Sequence, residues 1–377
     1  MQRRRFPKIA GLEVSALGLG AMRLPTLGGP PARVDEEAAI RLVQEAVRLG
    51  VSYLDTAWVY HGGQSELIVG RALRGGFRPR VQLATKSPVW EVEAEGDWER
   101  ILDQQLRKLE TDRIDFYLLH ALDAGRWEKV QRLRGIGALE RARADGRIGH
   151  IGFSFHGPFD DFEKILAGYD WEFTQIQLNY LDQAFQAGVP GLRRAAERGV
   201  GVVVMEPLRG GALARIPPAV GEILGRSGRA WSPAEWALRW VWSQPGVVTV
   251  LSGMGTLEQL AENVAAAEVA VPLGGEELRL VEAARAAYQE KMAVPCTTCG
   301  YCQPCPNEVA IADVFNAWNS ALMFDDRAGA ARIYDRFLVK EGAGADRCEE
   351  CGDCEPRCPQ HISIGEKLQQ AHDYLTR

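Results

Sequence analysis

From Leu17 to Ala267 the chain repeats one pattern: a short apolar run, a turn of Gly or polar residues, then an amphipathic stretch. The expected strands are residues 17–22, 52–55, 81–85, 115–119, 150–153, 173–177, 201–205 and 247–251. The expected helices are residues 35–49, 65–73, 97–109, 136–145, 159–167, 191–198, 233–242 and 257–266. Gly, Pro or an acidic residue marks their ends, as helix starts and stops require. Eight strand–helix units over this length fit a closed barrel of parallel strands. An open doubly wound sheet would carry Gly-x-Gly-x-x-Gly after an early strand, and Gly18-Leu19-Gly20 lacks the third glycine. The expected fold is therefore α/β, a (β/α)8 TIM barrel. Residues 5–14, with the turn signal Ala10-Gly11, read as a hairpin that caps the barrel floor.

The last quarter of the chain reads differently. All eight cysteines lie there, as Cys296, Cys299, Cys302 and Cys305 before Pro306, and Cys348, Cys351, Cys354 and Cys358 before Pro359. Two Cys-x-x-Cys-x-x-Cys runs, each with a fourth Cys before Pro, have the spacing that wraps cubic iron–sulfur clusters. Three thiolates come from one tight loop, and Pro after the fourth keeps its segment from continuing as a helix. In two-cluster proteins the fourth Cys of each run serves the other cluster. The expected ligand sets are Cys296, Cys299, Cys302 and Cys358 for one 4Fe-4S cluster, and Cys348, Cys351, Cys354 and Cys305 for a second. The first run departs from the bacterial pattern by one residue in the gap before Cys305. Structural zinc sites usually pair two Cys-x-x-Cys units across a longer gap. Disulfides require an oxidising compartment.

Residues 274–291 form a further helix-like stretch, and Ala293-Val294-Pro295 reads as a hinge into the cysteine region. Between the runs, residues 311–322 and 328–338 have helical spacing. The expected division is a barrel at 1–292 and a small, mostly helical ferredoxin-like iron–sulfur domain at 293–377.

Composition excludes little by itself. A length of 377 residues, 46% hydrophobic and 25% charged, suits a large soluble domain with an appendage. A net charge of −6 argues against nucleic acid as the main partner. No apolar run approaches a membrane span, and MQRRRFPKIAGLEV has no apolar core of a secretory signal. No membrane association and a cytoplasmic location are expected.

Chemistry in such barrels collects at the C-terminal ends of strands. Strand two ends at Asp55, with Tyr60 shortly after; strand three ends at Lys86, strand four at His120. Each residue alone has an ordinary structural reading: a cap, a solvated lysine, a core histidine. Four in order, each at a strand end, point to one mouth. Tyr60 would be the general acid toward a carbonyl oxygen. A free phenol has a pKa of about 10, and Lys86 nearby would lower it. Asp55 would hold Lys86 charged and aimed, and His120 would orient the carbonyl by a hydrogen bond.

These residues resemble the aldo-keto reductase family. The segment Tyr53-Leu54-Asp55-Thr56-Ala57 with Tyr60 and Ser65-Glu66 is similar to its Asp–Tyr signature. Ala84-Thr85-Lys86 and Asp115-Phe116-Tyr117-Leu118-Leu119-His120 resemble its Lys and His motifs. The likeness covers about residues 5–290, and the tail resembles that of a bacterial subgroup with an all-helical iron–sulfur extension. It implies a nicotinamide cofactor, NADP(H) or NAD(H), in the same mouth.

Gly20, Met22 and Asp55 would line that cofactor, and Ser154 and Gln175 would bind its carboxamide. Gln177 and Asn179 share the face of Gln175 by alternation. Where relatives have Asn after the Ser, this chain has Phe155 and then His156. Met205 stands where many relatives stack a Tyr, and a thioether also packs on a ring. Glu206-Pro207-Leu208-Arg209-Gly210-Gly211 resembles the loop over the pyrophosphate, with Pro207, Leu208 and Gly210 as contacts. Ser252, Gly253, Met254, Gln259, Glu262 and Asn263 match the adenosine segment. Gly253 and Gln259 replace the basic residues that usually clamp a 2′-phosphate, which favours Arg or Lys.

Three functions compete. The first is nicotinamide-dependent oxidoreduction of a small-molecule carbonyl or alcohol. The second is electron transfer, with clusters relaying single electrons to a redox protein partner. The third is a non-catalytic barrel scaffold, against which the intact tetrad argues. Trp58, Trp90 and Trp127 are candidates for an apolar substrate pocket or for buried packing.

Overall fold

The computed structural model describes all residues except 29–32, 270 and 299. A two-stranded antiparallel ribbon opens the chain, β1 (Arg3–Arg5) against β2 (Glu13–Ser15). Eight strands follow: β3 (Leu17–Gly20), β4 (Tyr53–Asp55), β5 (Gln82–Ser87), β6 (Ile114–Leu122), β7 (Ile148–Phe155), β8 (Phe173–Gln177), β9 (Gly201–Met205) and β10 (Val247–Ser252). They pair in parallel, in chain order, and β10 closes on β3. β9 and β10 are nearly continuous Val runs, as strands buried on both faces require.

The expected helices are present as α1 (Glu36–Arg48), α2 (Ser65–Ala72), α3 (Asp97–Leu109), α5 (Gly135–Ala144), α6 (Phe159–Ala167), α7 (Gly188–Glu197), α9 (Pro233–Trp242) and α10 (Leu257–Glu268). The sequence reading missed α4 (Ala124–Arg132) and α8 (Pro218–Gly225). Side-chain caps define several starts: Asp35 accepts from Ala38 N at 3.0 Å, Asp123 from Arg126 N at 2.8 Å and Thr256 from Gln259 N at 3.3 Å.

The opening ribbon supplies the floor. Phe6, Ile9 and Val14 are buried with Tyr53, Phe116 and Phe173. The Phe6 ring lies 4.9 Å from that of Phe116. Gly201 makes this possible, because a Cβ there would stand 2.5 Å from Phe6 Cδ1.

By internal contacts the chain divides into Met1–Gly210 with Ala234–Leu273, and Gly211–Pro233 with Gly274–Arg377. The second unit contains α8, α11 (Gly275–Gln289), α12 (Ile311–Met323), α13 (Arg327–Tyr334) with a π-helical extension Asp335–Val339, and α14 (Ile364–Thr376). Its core includes Val309, Ile311, Val314, Phe315, Ile364 and Leu368, with Cys358 buried among them. No helix among the described residues is long and apolar enough to cross a membrane.

Candidate active site and cysteine cavities

The strand ends bring Asp55, Lys86 and His120 to one mouth, and the turn after β4 brings Tyr60. Lys86 Nζ donates to Asp55 Oδ1 at 2.6 Å, to Asp55 Oδ2 at 2.8 Å and to the Thr56 carbonyl at 2.8 Å. It reaches Tyr60 OH at 3.4 Å. Lys86 and Asp55 are 1% and 2% exposed, so this ion pair is held out of water. Burial alone would lower Lys86, but the Asp55 carboxylate and Tyr60 outweigh it and its pKa rises. Burial raises Asp55 while Lys86 opposes it. With both carboxylate oxygens on one ammonium, the direction that governs the pair is that of Lys86, which stays charged.

At Tyr60 the expected downward pull of Lys86 is present, and burial outweighs it. Burial raises its phenol above the ordinary value; Lys86 pulls it down, and Asp55 and Glu206 push it up again. The net direction is upward, so the hydroxyl keeps its proton through neutral pH. His120 is held well below the usual histidine range by burial and by the nearby Lys86, His156 and Arg126. Its imidazole is neutral, and Nδ1 is buried without a protein partner. Its ring faces Tyr60 edge-on at 6.3 Å and meets Trp90 at 5.0 Å.

The tyrosine turn is unusual backbone. His61, Gly62 and Gly63 all have positive φ, at 53°, 63° and 86°, a conformation found at functional turns. His61 Nε2 accepts from Leu24 N at 3.1 Å and so fastens the turn to the segment after β3. The sequence reading assigned His61 nothing. Of the three tryptophans, Trp90 borders the site. Trp127 is 7% exposed and packs on Trp171, and Trp58 lies under Lys108 Nζ at 3.6 Å.

The other expected contacts are distributed around the same barrel. Ser154 Oγ, at the end of β7, accepts from Ala121 N at 2.7 Å. Gln175 is 1% exposed; its Nε2 donates to Met205 Sδ at 3.6 Å and its Oε1 has no protein partner. Asn179 donates to Asp182 Oδ2 and the Glu206 carbonyl, and Gln177 to Asp182 Oδ2. Gln175 is thus the residue of that face with a buried acceptor to spare. Beyond β9, Arg209 Nε binds Asp182 Oδ2 at 3.0 Å. Gly210 and Gly211 have φ of 67° and 95°, which suits a loop that turns without side chains.

Arg23, which the sequence reading passed over, runs between Gly253 and Gly210. A Cβ on Gly253 would lie 3.2 Å from its stem, and one on Gly210 3.2 Å from Nη2. Its guanidinium is 3.8 Å from Glu206. Gly20 ends β3, and Met22 beyond it is 52% exposed. Asn263 Nδ2 donates to Ser252 Oγ at 2.8 Å, and Gln259 Oε1 accepts from Gly255 N at 2.8 Å. Glu262 is exposed, whereas Met254 is buried.

In the second unit the cysteines line two cavities. Cys296, Cys302 and Cys358 face one of about 20 Å³, with Ile311, Phe315 and Ile364. Cys305, Cys348, Cys351 and Cys354 face another of about 190 Å³, with Glu349, Glu350 and Glu355. Cys299 lies outside the described residues. The grouping crosses the two runs, with Cys358 in the first cavity and Cys305 in the second. No three acidic, His or Cys side chains among the described residues converge as ligands of one metal ion. The described cysteines form no disulfide. Asn319 bonds both backbone groups of Val294, donating to its carbonyl at 2.7 Å and accepting from its N–H at 3.1 Å, and so fixes the approach to Cys296. Tyr334 OH accepts from Ala345 N at 2.9 Å, just before Cys348.

Comparison with known proteins agrees with both halves of this description. Residues 16–286 match the Aldo/keto reductase family, and residues 295–363 match a 4Fe-4S dicluster domain. An L-galactose dehydrogenase of Arabidopsis thaliana is 29% identical over 295 residues, covering 72% of this chain and 90% of its own. The uncharacterized oxidoreductase YqkF of Bacillus subtilis (strain 168) is 28% identical over 312 residues, covering 74% and 95%. The solved aldo-keto reductase AKR11C1 of Bacillus halodurans, in its holo form, superposes with a TM-score of 0.63 at 29% identity, over 75% of this chain and 96% of that chain.

Proposed function

The chain belongs to the aldo/keto reductase family and is an oxidoreductase with a 4Fe-4S domain, and from that premise we propose that it interconverts a small carbonyl compound and its alcohol at the barrel mouth. The observation that carries this reading is Lys86 Nζ, bound to both oxygens of Asp55 and 3.4 Å from Tyr60 OH. Residues 1–292 would form the reductase domain and 293–377 the iron–sulfur domain.

The cofactor would be a nicotinamide dinucleotide, NADP(H) or NAD(H). Gln175 Oε1, buried without a partner, fits an amide N–H, and the Ser154 hydroxyl can donate to an amide carbonyl. Gly210 and Arg23 would border the diphosphate, and Ser252, Gln259, Glu262 and Asn263 the adenosine end. No Lys or Arg occurs between Ser252 and Asn263, so Arg23 is the neighbouring cation for a 2′-phosphate. When bound, the reduced nicotinamide supplies a hydride to the carbonyl carbon.

This chain's residues would supply the proton. Tyr60 OH carries it at neutral pH and gives it to the carbonyl oxygen, leaving a phenolate that Lys86 stabilises. Neutral His120 donates a hydrogen bond that holds the carbonyl toward Tyr60. Water then returns a proton to Tyr60. In alcohol oxidation the Tyr60 phenolate takes the hydroxyl proton.

In the tail, Cys296, Cys299, Cys302 and Cys358 would hold one 4Fe-4S cluster and Cys305, Cys348, Cys351 and Cys354 a second. The crossed grouping in the two cavities supports two rather than one. Such clusters exchange single electrons, which fits a redox protein partner. Cysteines used as cluster ligands rather than in disulfides suit a reducing, cytoplasmic setting.

The test is steady-state oxidation of NADH and NADPH against a panel of aldehydes. Tyr60→Phe is expected to lose about 10²–10⁴-fold in kcat. Full activity in that variant would remove the proton-donor role. Iron and sulfide content of anaerobically purified protein would give the cluster number.

A further inference from the structure

A fully buried carboxylate behind the mouth has no part in the chemistry above. Glu66, in the first turn of α2, is 0% exposed. Its two oxygens face different ways. Oε1 accepts from Gln105 Nε2 at 2.6 Å and from Thr85 Oγ1 at 2.8 Å. Gln105 Nε2 also donates to the Lys86 carbonyl at 3.0 Å, and its Oε1 accepts from Tyr117 OH at 2.7 Å. Oε2 accepts from Lys108 Nζ at 3.2 Å. That ammonium lies 3.6 Å from the centre of the Trp58 ring, two residues before Tyr60. Gly70 permits the arrangement: a Cβ there would stand 2.6 Å from the Lys108 carbonyl, so only glycine lets α2 cross α3 this closely.

We propose that Glu66 is a positioning residue that fixes the distance between Lys86 and Tyr60, with one oxygen tied through Gln105 and Thr85 to the lysine strand and the other through Lys108 and Trp58 to the tyrosine turn. This rests on the reading of Tyr60 as the proton-transferring group. The argument is one of cost. A buried carboxylate needs its charge answered, and Lys108, with a side chain 24% exposed, answers it. A network of buried polar groups holds its members to one geometry when every member is satisfied. The charged groups facing Tyr60 are Lys86 from β5, Asp55 from β4 and Glu206 after β9, with neutral His120 from β6. Lys86 is the one that favours the phenolate, so any loosening that moves it away raises the phenol's pKa.

The experiment follows kcat for alcohol oxidation against pH, where the rising limb reports Tyr60 ionisation. Glu66→Gln, Gln105→Leu and Lys108→Met are each expected to move that limb upward by roughly half to one unit. Adding Lys108→Met to Glu66→Gln should move it no further, because both act through one carboxylate. Ultraviolet titration of Tyr60, obtained by subtracting the spectrum of the matching Tyr60→Phe protein, must show the same shift without reference to turnover. It therefore separates this proposal from the functional reading: an inactive enzyme whose Tyr60 still shifts fails only the latter. An unmoved limb and an unmoved Tyr60 in folded Glu66→Gln protein, or full additivity of the two substitutions, would overturn it. Lys108 is partly solvated, so Lys108→Met keeps the test in force if Gln105→Leu does not fold.

Discussion

The barrel mouth and the cysteine tail prepare their sites in opposite ways. In the mouth the Lys86 ammonium is neutralised by Asp55 of the same barrel, at the end of the neighbouring strand. In the tail, seven described cysteines line two cavities, and Cys354 is pushed up to about 11 by burial and by Glu355, Cys302 and Cys348. On the cluster reading proposed above, these thiols would be held as thiolates by metal. One region balances its electrostatics during folding; on the cluster reading the other would do so when loaded.

That contrast can be broken at several points. The largest expected effect is at Lys86→Met. It leaves Asp55 buried without a counterion, which costs about 3–5 kcal/mol, measured by denaturant unfolding, and it removes turnover. A variant of wild-type stability would mean that the mouth is not self-balanced. Next is Cys351→Ser, expected to remove the cluster of the second cavity and about half the iron, with aldehyde reduction retained. Loss of both activities together would make the two regions one functional unit. Asn319→Leu strips two hydrogen bonds from Val294 and leaves its backbone groups buried; about 2–4 kcal/mol of local stability should disappear, read as faster amide exchange from residue 294 onward.

Acid sharpens the comparison in smaller steps. His120 is depressed in the folded protein, so the unfolded chain binds its proton first as pH falls. Stability is therefore full above about 6.5 and declines below it, by up to roughly 1.4 kcal/mol per pH unit. His120→Asn should flatten that decline between pH 6.5 and 5 in thermal unfolding. The smallest effect is Thr256→Ala, which removes the cap of α10 and about 1 kcal/mol, measured in the same way.

Much of the barrel was legible because burial on both faces writes strands as short Val- and Leu-rich runs. α4 was not: AGRWEKVQR offers only Trp127 and Val130 to a core. α8 was hidden by Pro217, Pro218 and two glycines, which read as a loop. α14 has a clear stripe of Ile364, Leu368, Ala371 and Leu375, overshadowed by the cysteines before it. The tetrad was readable because three members end strands. The upward shift of Tyr60 was not, since it depends on how deeply the turn is buried rather than on which cation stands nearby. Arg23 and Glu66 act across distant segments, Gly253 in one case and Gln105 and Lys108 in the other, and no local spacing announces such meetings.

Phe6, seated over Gly201, has a kinetic corollary. A cylinder stoppered at its base has a single doorway. On the function proposed above, dinucleotide and carbonyl compound would pass through the same rim, and whichever lay deeper would arrive first and depart last. Product-inhibition patterns should accordingly be those of a compulsory sequence.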